Sequence, residues 1–71
     1  MKIRLFEISN GQERLVGNLP PILIPRIKEV IVYEDTAYKI KSIAYNYYDE
    51  DDEIVVEIAA KEVDANVDWW E

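Results

Sequence analysis

Apolar and polar residues alternate along most of this chain with a period of two, the signature of half-buried β-strands. Between Met1 and Ser9 the apolar Ile3, Leu5, Phe6 and Ile8 are interleaved with Lys2, Arg4 and Glu7. Asn10-Gly11 follows, the pair best suited to a type I′ turn, because both central residues of that turn need positive φ. Gln12–Val16 returns as a second strand, which sets Glu7 opposite Arg14 as a favourable cross-strand pair. Gly17-Asn18-Leu19-Pro20-Pro21 ends that strand, since two prolines fix φ and remove backbone donors. Ile22-Leu23-Ile24, closed by Pro25, reads as loop or edge rather than sheet interior, with its side chains capping one open end of a barrel. Ile27–Tyr33 is the next strand, and Glu34-Asp35-Thr36 a short turn.

From Tyr38 to Ala60 the pattern predicts a long hairpin. Tyr38 and Ile40 point one way and Lys39 and Lys41 the other. At Ser42 the phase slips by one residue, after which Ile43, Tyr45 and Tyr47 carry the apolar side. Such a slip predicts a β-bulge near Lys41-Ser42 that bends the strand. The acidic block Asp49-Glu50-Asp51-Asp52-Glu53 makes the turn. Ile54, Val56, Ile58 and Ala60 then return on one face. A helix over 57–66 is the competing reading, but no segment sustains a helical period, and strand to about Val63 is preferred.

Strands joined by short local turns, with one bulged central strand, predict an all-β fold: a small five-stranded, SH3-like, partly open barrel, with an OB-like barrel as the alternative. Residues 1–63 form the barrel domain, and 64–71 an acidic tail that holds Trp69 and Trp70. Seventy-one residues allow one domain with a thin core. The segment 19–58, LPPILIPRIKEVIVYEDTAYKIKSIAYNYYDEDDEIVVEI, resembles small uncharacterised SH3-like β proteins of phages and Gram-positive bacteria. In these a Pro-Arg-Ile stretch precedes a strand, a short turn, a Tyr-Lys-Ile/Val strand and a last strand after an acidic turn. The resemblance implies an SH3-like β-fold and a phage or mobile-element origin, and it implies no activity.

Composition changes the picture in two ways. There is no cysteine and no histidine. That removes thiolate chemistry, disulfides, the commonest metal ligands and the commonest general base at neutral pH. Ser9, Thr36 and Ser42 therefore have no base to activate them, no phosphate-cradling glycine loop is present, and the chain reads as non-enzymatic, with no cofactor. Secondly, the net charge of −7 is unevenly placed: residues 1–48 carry +2, and residues 49–71 carry −9. A strong negative charge disfavours direct contact with nucleic acid or anionic membrane and favours a basic partner. No signal peptide or apolar span is evident, so the expected address is the cytoplasm, that of the host if a phage encodes the chain.

The candidate contact residues follow from this. Asp49, Asp51 and Glu53 have the alternate spacing of calcium-loop ligands, but the loop's sixth and twelfth positions hold Ile54 and Ala60 instead of Gly and Glu, so no dedicated metal site is expected. Asp49, Glu50, Asp51, Asp52 and Glu53 can instead meet Arg or Lys on a partner; equally, they can be a solvated turn whose self-repulsion deters edge aggregation. Tyr38 and Tyr45 are expected in the core or in cross-strand packing. Tyr47 and Tyr48 point to opposite faces, so at least one is exposed as a contact residue. Trp69 and Trp70 either dock on their own barrel or anchor a partner, including a second copy. Arg26, Lys28, Lys39 and Lys41 are placed on adjacent strands as a modest positive patch.

The best reading is a small acidic protein-binding module whose partner is a basic protein surface. In its sharper form it is a phage-encoded inhibitor that masks a nucleic-acid-binding surface of a host protein. Two alternatives stand beside it: an oligomeric protein that binds or sequesters a nucleotide or other small ligand, which would need Arg26, Lys28, Lys39 and Lys41 to converge, and a structural or assembly component of a phage particle.

Overall fold

The computed structural model describes residues 1–22 and 24–64. They form one five-stranded sheet: β1 (Lys2–Ser9), β2 (Gln12–Leu19), β3 (Val30–Tyr33), β4 (Thr36–Tyr48) and β5 (Glu53–Glu62), in the order β2-β1-β5-β4-β3. Two local pieces build it. β1 and β2 are a hairpin; β3, β4 and β5 are an antiparallel meander. The pieces join where β1 runs parallel to β5, with Ile3 beside Val56 and Leu5 beside Ile58. The sheet curls strongly into a half-barrel, the partly open, SH3-like or OB-like all-β form that the alternation predicts.

The registers show why this sequence curls this way. One row across the inner face runs Leu19–Ile3–Val56–Tyr45, and the next runs Gly17–Leu5–Ile58–Ile43. Ile3, Leu5, Ile40, Val56, Ile58 and Ala60 are fully buried there, and Tyr38 joins them. Each comes from the apolar phase of its strand, so the core is the inner face of the curl. The two edge strands approach each other across the open side. Tyr33 from β3 reaches Gly17 on β2, where a Cβ would fall on its hydroxyl and, at 2.6 Å, on its Cζ. Gly17 thus ends no strand. It lies within β2 and leaves room for the ring that bridges the two edges.

Several local expectations hold. Asn10 (φ 52°) and Gly11 (φ 74°) form the β1–β2 turn. Glu7 pairs with Arg14, whose guanidinium donates to Oε1 of Glu7 at 2.7 Å and is held above its ordinary pKa chiefly by that bond. The register of β4 against β5 shifts between Ile40 and Ser42, so Lys41 is the extra residue of a bulge. β5 ends at Glu62, and Val63 still donates to the Ala37 carbonyl at 3.0 Å.

Other expectations are corrected. β2 runs on to Leu19, bulging against β1 where the register shifts between Leu5 and Phe6. β3 begins at Val30, because 26–29 form a turn instead: Glu29 N–H donates to the Arg26 carbonyl, the Arg26 N–H donates to the Glu29 carboxylate at 2.6 Å, and Lys28 has φ 76°. Of the proposed barrel cap, Ile24 packs on the core and Pro25 is buried, but Ile22 is 85% exposed and Leu23 lies outside the described residues. Of the two places expected for Tyr45, core or cross-strand packing, it takes the second: it faces Val56 across the sheet and stays 61% exposed instead of entering the core. The reason is where the neighbouring strands stop. β3 pairs with β4 only over Thr36–Lys39, the Lys28–Glu29 backbone adds bonds to Ile40, and nothing described covers β4 beyond that point.

Candidate binding surface

The β4–β5 hairpin outruns the rest of the sheet. The pairing of β1 with β5 begins at Lys2 and Val55, whereas the hairpin continues to Tyr48 and Glu53. Its four-residue turn, Asp49–Asp52, is closed by the Asp52 N–H on the Asp49 carbonyl at 3.3 Å, with Asp52 at φ 50°. Four of the five acidic residues therefore make the turn. The fifth, Glu53, opens β5 and faces Lys2, Nζ to Oε1 at 3.7 Å.

The aromatic residues sit beside this turn on both faces. The registers put Tyr45 and Tyr47 on the inner side with Ile54, and Tyr48 on the outer side with Glu53. Tyr47 and Tyr48 are 58% and 54% exposed, and Ile54 is exposed as well. The Tyr47 hydroxyl donates to Oδ1 of Asp52 at 2.9 Å, and this bond raises the phenol above its ordinary pKa. Tip and ring are thus tied together, with carboxylates bordering an exposed aromatic strip. Of the candidate contact residues, the structure brings together Asp49, Glu50, Asp51, Asp52, Tyr47 and Tyr48, adds Tyr45 and Ile54, and turns Glu53 toward Lys2. Trp69 and Trp70 lie outside the described residues.

Tyr45 and Ile54 as exposed residues were not legible in the sequence. Both continue an apolar phase that is buried elsewhere, and only the early ends of β1 and β3 uncover them. On the outer face, Asn46 donates to Oε1 of Glu57 at 2.6 Å, a cross-strand bond that stiffens the hairpin next to the strip.

The basic residues gather at the other end of the free stretch of β4. The Lys28 N–H donates to the Ile40 carbonyl at 2.9 Å, which sets Lys28 beside the segment Lys39–Lys41. Arg26 and Lys28 line a surface depression of about 610 Å³, open to solvent, together with Ile24, Pro25 and Glu29; Lys39 and Lys41 do not line it. Among the described residues no three carboxylates converge as ligands for a metal ion, and no helix is long and apolar enough to cross a membrane. Comparison with family models, with curated proteins and with solved structures finds no match for this chain.

Proposed function

We propose that this protein is a non-enzymatic binding module that presents the tip of the β4–β5 hairpin to a basic protein surface. One observation carries the reading: a hairpin that outruns its own core, ending in four carboxylates and bordered by Tyr45, Tyr47, Tyr48 and Ile54, none of which the fold needs to bury. Carboxylates supply attraction and register toward Arg or Lys. Tyrosine supplies large contact area at small entropic cost, with a polar end. The concentration of negative charge in residues 49–71 supports a cationic partner over nucleic acid or an anionic membrane.

In its sharper form the protein is a phage-encoded inhibitor acting in the host cytoplasm. Its carboxylates occupy the places where phosphates would lie on a nucleic-acid-binding protein. The resemblance to small phage proteins and the charge distribution support this form. The test is capture of partners from an extract of the host cells on the immobilised protein, with elution by salt. A partner bound through the tip leaves as ionic strength rises from about 0.1 M to about 0.5 M, where the screening length falls from about 10 Å to below about 5 Å. Binding indifferent to salt over that range refutes the charge-based reading.

A further inference from the structure

The free stretch of β4 has a second property, which lies in its backbone edge and does not require a foreign partner, although it draws on Tyr45, Tyr47, Tyr48 and Asp49 as the proposed function does. Ser42-Ile43-Ala44-Tyr45-Asn46-Tyr47-Tyr48 contains no charged residue and no proline, and among the described residues its outer backbone edge has no strand partner. Natural sheets blunt such edges with charge, proline or shortness. The other two edges are blunted: β3 is four residues long, and β2 carries Glu13 and Arg14. This one is open, and it is bounded by opposite charges, Lys41 before it and Asp49 after it.

We propose that two copies of this chain pair through this edge, β4 against β4 in antiparallel register about a twofold axis at Tyr45. The charge order selects a second copy running antiparallel. Pairing the whole uncharged run about its centre sets Tyr48 opposite the partner's Ser42 and Asp49 opposite the partner's Lys41, and symmetry makes each contact twice. Beyond Lys41 the next groups that an incoming tip meets are Lys28, held beside Ile40, and Arg26 in the adjoining turn. Among the described residues Lys41 and Lys28 have no carboxylate within ion-pair distance, and Arg26 has Glu29 at 3.9 Å, so the cations at this end are available to a partner's tip. A parallel pairing would instead put the two acidic tips side by side. In the antiparallel pair the ends of the two runs are about 20 Å apart along the strands, well beyond the screening length of about 8 Å at physiological salt.

The inner face gains from the same register. Tyr45 meets the partner's Tyr45, and Tyr47 meets the partner's Ile43, cross-strand pairs of the kind that stabilise sheets. Glu50, Asp51 and Asp52 stay free for a third molecule. Seven paired residues per copy make a small interface, so the dimer is weak and concentration-dependent.

Sedimentation equilibrium from about 10 μM to about 1 mM, a range that brackets weak association, tests the pairing. The expected result is a reversible monomer–dimer equilibrium that Lys41→Glu weakens about tenfold, because two attractive contacts become repulsive, and that Lys41→Glu combined with Asp49→Lys restores. Both positions are exposed, and circular dichroism verifies that each variant keeps its fold. In the dimer, amide exchange across Ile43–Tyr47 slows as concentration rises. A protein that stays monomeric throughout the range overturns the proposal, and so does a dimer that Lys41→Glu leaves unchanged.

Discussion

Gly17 is held by a side chain from the far edge of the sheet. Any Cβ there meets the Tyr33 ring, so Gly17→Ala forces the ring off the core. Overpacking of this kind costs about 1–3 kcal/mol, read as a lower midpoint in urea unfolding. In a Tyr33→Leu background most of that cost disappears, and this non-additivity is the mark of the contact. Tyr47 makes a prediction in pH. Its hydroxyl donates to Asp52, so losing the proton breaks a hydrogen bond and sets a phenolate beside a carboxylate. The folded pKa therefore lies above the ordinary 10.0. A raised pKa on an acid means that the folded chain holds its proton longer than the unfolded chain does. The stabilisation is fully present below pH 10 and is lost as pH rises through the folded value. Following the Tyr47 ring by NMR during a pH titration gives a midpoint above 10, and Asp52→Asn brings it back toward 10.

At the level of elements, the two hairpin turns differ in their backbone chemistry. Asn10-Gly11 occupies positive φ at little cost, whereas the β3–β4 turn puts Glu34 (φ 48°) and Asp35 (φ 70°) there. A glutamate in the left-handed region costs about 1–2 kcal/mol, so replacing Glu34-Asp35 with Asn-Gly raises stability by about 1 kcal/mol, measured as the midpoint of thermal or urea unfolding. This contrast also explains what was legible in the chain. The Asn10-Gly11 turn, the Glu7–Arg14 pair, the bulge at Lys41 and the acidic turn are all written in local chemistry or in a shift of the two-residue period. The parallel docking of β1 on β5, the role of Gly17 and the exposure of Tyr45 depend on which distant strand arrives and where it stops. The alternation of one strand carries no such information. The turn at 26–29 was missed for a related reason. Ile27, Val30 and Val32 keep an apolar rhythm, but the Glu29 carboxylate on the Arg26 N–H wins the competition for that backbone.

On the scale of the whole molecule, a thin core and a protruding hairpin divide the labour. Ile58 is fully buried between Leu5 and Ile43. Its truncation to Ala costs about 2–5 kcal/mol, against a total that for a chain of this size is only about 4–10 kcal/mol. Ile58→Ala is therefore expected to be largely unfolded well below the melting temperature of the parent, as circular dichroism would record. The tip behaves in the opposite way. Asp49, Asp51 and Asp52 are exposed in the turn beyond the strand ends, and asparagine is well tolerated at the positive φ of Asp52. Changing all three to Asn is expected to leave the fold intact. The central claim, that the acidic hairpin tip is the recognition surface, then rests most directly on the dissociation constant of this triple variant for the captured partner, measured beside the parent protein at the same salt. A folded variant that binds at least about tenfold more weakly, about 1.4 kcal/mol, is expected; a folded variant that binds its partner as tightly as the parent refutes recognition through the acidic tip.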